Sequence, residues 1–114
     1  MDRFPQLLKE KTRILEQIAQ LGPMRRGSVS EYSPSFTRKD GSRKSRGPYL
    51  TYTFKKEGKT QGKHLRGLPE AELYRRQIAQ FRRFEELAAQ FTEVSERLAD
   101  LQASETDAKK NSKS

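Results

Sequence analysis

Residues 24–66 read MRRGSVSEYSPSFTRKDGSRKSRGPYLTYTFKKEGKTQGKHLR, and the rest of the chain is organised around this stretch. It contains twelve Arg and Lys residues but only three acids, which gives it a net charge of +9. The residues before it carry a net charge of +1 and those after it −1, so the formal +9 of the whole chain is concentrated here. A local basic field with aromatic residues among the bases is typical of proteins that bind polyanions.

The clearest strand in the sequence is the segment 48–56, PYLTYTFKK, which is rich in β-branched and aromatic residues. Successive side chains of a strand alternate between its two faces, so Leu50, Tyr52 and Phe54 share one face. A Glu-Gly turn leads to a second predicted strand at 59–65, and the two strands form a β-hairpin. Because an isolated hairpin is only marginally stable in water, we expect the helices to pack on this apolar face.

Two further segments complete the basic module, which we place at residues 24–67. The segment 27–37 alternates only partly and contains Pro34, which favours an edge strand or an irregular one. If it joins the hairpin, the result is a three-stranded meander. The segment 38–47, RKDGSRKSRG, is polar, basic and rich in Gly and Ser, and this composition predicts a flexible loop. The Asp40-Gly41 step within it favours a tight turn.

Helices are predicted on both sides of the basic module. Apolar residues recur at helical spacing within residues 1–23, and a Gly-Pro step ends this N-terminal helix. A longer C-terminal helix without internal Gly is predicted over 68–103, and the polar residues 104–114 are predicted to form a disordered tail. The expected fold is therefore α+β, with two long antiparallel, coiled-coil-like helices flanking a small basic antiparallel hairpin or meander.

The long helix carries a stripe of apolar residues at steps of three and four, which resembles a heptad seam. It is longer than the first helix, and we expect the excess to close against a second copy of the protein or against a larger protein. The alternative is that this end of the helix frays. The residues predicted at the partner interface are Phe81, Phe84, Phe91, Val94, Leu98 and Leu101.

Composition argues against several classes of function. The chain has no Cys, hence no disulfide or thiolate metal site, and its single His64 excludes a site that needs two histidines. No apolar run approaches the ~20 residues of a membrane span, and the N-terminus lacks a signal-peptide core, so we expect a cytoplasmic protein without a membrane partner. No catalytic or phosphate-loop motif is present, so we predict no enzymatic activity, no metal and no cofactor.

The basic module is the predicted nucleic-acid-binding site. Charge runs are usually solvated surfaces, but here the bases are confined to one module with few acids, and its aromatic residues suit stacking on bases. The aromatic residues suited to stacking are Tyr32, Phe36, Tyr49, Tyr52 and Phe54. Tyr52 and Phe54 are expected in the core, and Tyr49 is the better candidate for a contact. These features do not distinguish DNA from RNA. The predicted contacts are Arg25, Arg26, Arg38, Lys39, Arg43, Lys44, Arg46, Tyr49, Lys55, Lys56, Lys59, Lys63, His64 and Arg66.

Four short motifs occur in a fixed order and are followed by a long charged helix: RRGS at 25–28, GPY at 47–49, GKT at 58–60 and LP at 68–69. In this order they resemble a family of small basic proteins encoded beside transposases in bacteria and archaea, over roughly residues 15–101. Members of that family carry a cysteine cluster between the RGS and GPY motifs that looks like part of a metal knuckle. This chain has Ser and Lys there instead, at 35–45, so no structural zinc is predicted.

The resemblance implies an accessory protein of a mobile genetic element that binds nucleic acid. Together with the charge pattern, it leads to our first hypothesis: a non-catalytic protein that grips DNA or RNA phosphates with its basic module. Its helices then dimerise or recruit a larger protein such as a transposase or nuclease. The alternative hypothesis is a helical adaptor whose basic module binds an acidic protein surface.

Overall fold

A computed structural model of the protein describes the backbone of residues 3–111 and the side-chain surroundings of residues 3–106. The fold is α+β, as predicted, with two helices and two small antiparallel sheets in the described part. The elements in chain order are α1 (Phe4–Ala19), β1 (Ser28–Tyr32), β2 (Ser35–Thr37), β3 (Arg43–Ser45), β4 (Tyr49–Lys56), β5 (Lys59–His64) and α2 (Leu68–Asn111).

The chain divides into two compact units, and each has its own hydrophobic core. The sheet unit is Gly22–Phe81, which contains the described strands and the first part of α2. The helical unit contains α1 and the part of α2 that begins at Arg82. Helix α2 therefore contributes to both units.

The larger sheet has the strand order β1–β4–β5, and its neighbours pair antiparallel. Strands β4 and β5 form the predicted hairpin around a two-residue turn at Glu57 and Gly58, whose φ angles are 52° and 78°. Positive φ at both positions is the geometry that matches the twist of the two strands. Strand β1 pairs with the other side of β4, with Val29 opposite Tyr52, so the third strand does join the hairpin.

One face of the larger sheet packs on the first part of α2. Leu50 and Tyr52 are 3% and 4% exposed, and Phe54 packs against them half-buried, so the predicted apolar face is confirmed. Full burial of one such side chain stabilises the fold by about 1.5–3 kcal/mol. The partners on α2 follow one another at steps of three and four, which puts them on one side of the helix. These partners are Ala71, Tyr74 and Ile78.

The chain enters β1 through a close backbone approach at Gly27, where φ is 121°. A Cβ atom at this position would lie 2.4 Å from the carbonyl oxygen of Thr53 and 2.9 Å from the ring of Tyr52. Both the backbone conformation and the contact therefore require glycine. The Tyr52 hydroxyl donates a hydrogen bond to the carbonyl oxygen of Arg26, which fastens the same entry point to the central strand.

The segment 38–47, predicted to be a flexible loop with a tight turn at Asp40-Gly41, contains that turn but also contributes β3 to the second, two-stranded sheet. The loop prediction was wrong over β3, which pairs antiparallel with β2. The amide and hydroxyl of Ser42 donate hydrogen bonds to the Asp40 carboxylate at 3.0 and 2.6 Å. The sequence did not predict this hairpin because its strands show no alternation of apolar residues. Its turn is closed by a hydrogen-bonded side chain, which composition does not show.

Helix α1 covers the C-terminal part of α2 in the helical unit. We expected this part of α2 to lack a partner within the chain, and that prediction was wrong, since Val94 and Leu98 are only 3% and 9% exposed. A partner protein therefore cannot use these two side chains without displacing α1. The buried residues of this core are Leu7, Ile14, Leu87, Val94 and Leu98.

The two helices of this unit run antiparallel. The ammonium group of Lys11 lies over the ring of Phe91, 5.5 Å from its centroid. Nearer the start of α1, Leu7 lines one depression together with Arg97 and Leu101, which lie further along α2. Earlier residues of α1 thus meet later residues of α2.

The connection from α1 to β1 is held on the first part of α2 from Gly22 onwards. The Gly22 amide donates a hydrogen bond to the side-chain oxygen of Gln80 at 2.9 Å, and the Arg25 amide donates one to the carbonyl oxygen of Gln77 at 3.1 Å. The connecting residues therefore follow α2 up to Gln80.

The helix boundaries differ from the predicted ones. The N-terminal helix, predicted over 1–23, ends at Ala19, and residues 1 and 2 lie outside the described part of the chain. Helix α2 continues past its predicted end at 103 to Asn111, so the predicted disordered tail is helical as far as it is described. Residues 112–114 lie outside the described part. The segment 104–114 is polar, but its sequence contains no Gly or Pro that would stop a helix. Neither described helix is long and apolar enough to cross a membrane.

Candidate nucleic-acid interface

The second face of the larger sheet is exposed to solvent along most of its described positions. Residues that lie opposite one another in the register share a face, so its members follow from the strand pairing. We call this set the open face and the set with Leu50 and Tyr52 the covered face. None of the residues of the open face is acidic. The open face consists of Ser28, Ser30, Tyr32, Tyr49, Thr51, Thr53, Lys55, Thr60, Gly62 and His64.

Three aromatic residues occupy neighbouring positions at one end of the open face. Tyr32 lies opposite Tyr49 in the register, and the centroid of the Tyr49 ring is 6.3 Å from that of His64. Tyr32 is 66% exposed and Tyr49 41%. The predicted contacts Tyr49 and His64 thus lie together, and Tyr32, which was not predicted as a contact, joins them. The partial alternation of 27–37 was the signal that could have placed Tyr32 on this face.

Gly47 lets the chain return to β4 close to both tyrosines. Its φ is 97°, and a Cβ atom there would lie 2.8 Å from the Tyr49 amide nitrogen and 3.0 Å from the Tyr32 carbonyl oxygen. The following peptide bond, Gly47–Pro48, is cis. The Arg46 amide donates a hydrogen bond to the Pro34 carbonyl oxygen at 2.9 Å, which closes the base of the β2–β3 hairpin. This hairpin therefore adjoins the tyrosine end of the open face.

We call residues 34–46 the basic hairpin. The guanidinium of Arg46 lies 5.1 Å from the centroid of the Phe36 ring, and Lys44 lies opposite Phe36 in the register. No ion pair in the described part of the chain involves a base of this hairpin. Their charge is therefore free to meet an external anion. The exposed bases of the hairpin are Arg38, Lys39, Arg43, Lys44 and Arg46.

The one acid of the basic hairpin is engaged in its turn. The hydroxyl of Ser42, and then its amide, hold the pKa of Asp40 below its usual range, because both donate hydrogen bonds to the ionised carboxylate. The carboxylate is thus directed to the turn residue Ser42 instead of to a neighbouring base.

Arg25 was predicted as a nucleic-acid contact, but it serves the core of the sheet unit. Its guanidinium lies 4.0 Å from the centroid of the Tyr74 ring and 5.3 Å from that of Tyr52. Its Nε donates a hydrogen bond to the side-chain oxygen of Gln77 at 3.0 Å. The side chain is half-buried in these contacts, so the structure places Arg25 between the sheet and α2.

The remaining predicted bases differ in their surroundings. Lys63 points towards α2, where its Nζ donates a hydrogen bond to the Tyr74 hydroxyl at 2.9 Å. Arg66 pairs with Glu70 at 3.3 Å but stays 92% exposed, and such a pair contributes only about 0–1 kcal/mol. The guanidinium of Arg26 lies 6.0 Å from the Phe81 ring centroid. The exposed lysines near the β4–β5 turn are Lys55, Lys56 and Lys59, of which Lys55 belongs to the open face.

Comparison of the chain with models of protein families, with curated proteins and with solved structures finds no match. The resemblance to transposase-associated proteins therefore stays a prediction. Among the described residues, no group of three or more His, Asp or Glu side chains is placed to hold a metal ion. A functional proposal must accordingly come from the charge and geometry of the sheet unit.

Proposed function

We propose that this chain is a non-catalytic nucleic-acid-binding protein that holds phosphates with its basic module. The observation that carries the proposal is the basic hairpin, whose five exposed bases make no ion pair within the described part of the chain. Cations that lack acidic neighbours repel one another, and a polyanion relieves this repulsion while it releases its own counterions.

Two exposed bases of α2 give a contrast that supports this assignment. On α2, Arg83 pairs with Glu86 at 3.0 Å and Arg97 pairs with Glu93 at 2.8 Å. Such pairs, three and four residues apart, are ordinary on a solvated helix. The basic hairpin lacks this interspersed pattern, which favours a role in binding over one in solubility.

In this proposal the helices have a supporting role. They form a coiled-coil-like pair flanking the basic module, and they dimerise or recruit a larger protein such as a transposase or nuclease. Leu8 and Leu15 of α1 are 42% and 46% exposed and seven residues apart, which puts them on one side of the helix. They suit this role better than Val94 and Leu98, which α1 buries. The motif resemblance supports a cytoplasmic accessory of a mobile genetic element.

The test replaces Arg43, Lys44 and Arg46 together with Gln and measures affinity for duplex DNA and for structured RNA across a salt series. We expect the slope of log affinity against log salt to become shallower by about 2–3, since each phosphate contact contributes ~0.7–0.9. The matched control replaces three exposed bases at the start of the chain with Gln: Arg3, which precedes α1, and Lys9 and Arg13 within it. Both variants lose the same net charge, so an equal change in slope would contradict a local role for the hairpin.

The adaptor alternative draws on the exposed leucines of α1. In this alternative the basic module binds an acidic protein surface, so the protein should purify free of nucleic acid. A phosphate-binding module should instead retain nucleic acid at low salt. The ratio of absorbance at 260 nm to that at 280 nm separates the two cases sharply, because the protein has no Trp and only four Tyr.

A further inference from the structure

We propose that the open face of the sheet binds single-stranded nucleic acid by stacking unpaired bases on Tyr49 and Tyr32. This inference rests on the proposed function and adds the class of substrate to it. The substrate is a strand of DNA or RNA whose bases are free, and the basic hairpin holds the phosphates beside it.

The exposure of the two tyrosines is the first observation. Tyr52, three residues from Tyr49 on the same strand, is 4% exposed, whereas Tyr49 is 41% and Tyr32 is 66% exposed. Single exposed apolar residues are ordinary on a protein surface. Here the two tyrosines are register partners, whose Cβ atoms start about 4.5–5.5 Å apart, and the His64 ring lies 6.3 Å from that of Tyr49. Two exposed tyrosine rings at one end of the same face thus offer apolar surfaces on which flat base faces can stack.

Charge is the second observation. The only acid within β1, β4 and β5 is Glu31, which belongs to the covered face and lies 3.9 Å from Arg75 of α2. A polyanion that approaches the open face thus meets no carboxylate from the strands. It meets hydroxyl groups instead, including those of Ser30 and Thr51, which can donate hydrogen bonds to phosphate and base oxygens.

The cations at both ends of the open face are the third observation. The basic hairpin adjoins the tyrosine end, because Arg46 lies three residues before Tyr49 and bonds to Pro34. At the other end, Lys55 lines a shallow depression together with neighbouring threonine side chains. From Tyr49 to Lys55 the central strand spans ~20 Å at ~3.3 Å per residue. Sheet platforms that bind RNA stack about two or three bases on aromatic side chains in a similar manner.

Stacking on exposed rings selects single strands over duplexes. In a duplex each base face is already covered by the next base pair, and only base edges and the backbone are accessible. Tyr49 and Tyr32 therefore have a partner only where bases are unpaired. The phosphates alone give no such preference, since the basic hairpin can hold either form.

The experiment is a thermodynamic cycle between the protein ring and the base. Wild type and Tyr49→Ala are each titrated with a homopolymeric single strand and with an abasic strand of equal length and charge, in DNA and RNA versions. We expect Tyr49→Ala to weaken binding of the strand with bases about 5- to 150-fold, the effect of one lost stacking contact, and to leave the abasic strand within about twofold. Tyr49→Phe, which keeps the ring, should stay near wild type, and Tyr32→Ala should repeat the loss.

The other outcomes are equally decisive. An equal loss for both strands would mean that Tyr49 acts on phosphate binding or on the fold, and the stacking proposal would be wrong. Unchanged binding in both tyrosine-to-alanine variants, or a wild type that prefers duplex to single strand, would also overturn it while leaving the proposed function intact. A wild type that binds neither form at low salt would overturn the proposed function itself.

Discussion

Tyr52 and Tyr49 are three residues apart on the same strand, so they lie on opposite faces of the sheet. Tyr52 is stacked on Phe54 with the ring centroids 5.0 Å apart, and its hydroxyl bonds to the backbone. The tilted ring of His64 lies 6.3 Å from that of Tyr49, which stays 41% exposed. On the covered face the ring of Tyr52 packs in the core, whereas on the open face the ring of Tyr49 is exposed to solvent.

The arginines of the sheet unit divide in the same way. Arg25 lies over the buried ring of Tyr74, while Arg46 lies over the exposed ring of Phe36. Both are cation–π contacts, but only the first ties α2 to the segment that leads into the sheet. The position of a side chain relative to α2, and not its residue type, therefore decides whether it contributes to stability or is available for binding.

The largest expected effect comes from breaking the covered face. We expect Tyr52→Ala to lower the free energy of unfolding by about 3–5 kcal/mol, because it removes a buried ring and its hydroxyl bond. Tyr49→Ala on the open face should cost under about 1 kcal/mol. Urea denaturation of both variants measures the difference, and similar losses would contradict the division between the faces.

The next effect concerns the backbone contact at the edge of the covered face. Gly27→Ala puts a methyl group against the Thr53 carbonyl oxygen, so we expect a loss of stability greater than conformational strain alone produces. Gly41→Ala is the matched control, because Gly41 also has a positive φ, 86°, but nothing lies within 4 Å of its Cβ position. The control should lose about 1–2 kcal/mol. If the two variants lose the same amount, the close approach at Gly27 is not important.

A smaller effect separates the two kinds of arginine. Arg25→Gln should lower the free energy of unfolding by about 0.5–2 kcal/mol through its lost ring contacts. Arg43→Gln should leave stability unchanged and make the salt dependence of binding shallower by about 0.7–0.9. Denaturation and a salt series on each variant measure both quantities, and the reverse assignment would contradict the structure.

The smallest effect is the pH response of the basic hairpin. Folding lowers the pKa of Asp40, so the turn is fully stabilised above the unfolded carboxyl pKa and loses this stabilisation as pH falls through the lower folded pKa. The Ser42 amide resonance should therefore shift only in acid. Asp40→Asn keeps an acceptor but should abolish the shift; a shift that persists would assign it to another group.

The hairpin of β4 and β5 could be predicted because its sequence alternates strongly. Leu50, Tyr52 and Phe54 recur at every second position, and that period fixes both the strand and its covered face. The sequence also indicated the basic module as the candidate site. That choice depends on the net charge of the segment, which folding does not change.

The missed features depend on particular side-chain contacts that the periodicity of apolar residues does not show. The β2–β3 hairpin closes through Asp40 and Ser42 within a segment whose composition resembles a loop. The burial of Val94 and Leu98 depends on packing with α1, which lies far from them in the sequence. Arg25 reads as one more base in a basic run, and only the position of Tyr74 shows that it belongs to the core.

The most direct test of the central claim is a salt series with the intact wild-type protein against single-stranded DNA, duplex DNA and a structured RNA with unpaired loops. If about seven cations of the basic module neutralise phosphates, the slope of log affinity against log salt should be near −5 to −6, and a fourfold rise in salt should weaken binding about a thousandfold or more. Ligands with unpaired bases should bind more tightly than the duplex. Absence of binding to all three at low salt would contradict the account and favour a protein partner for the basic module.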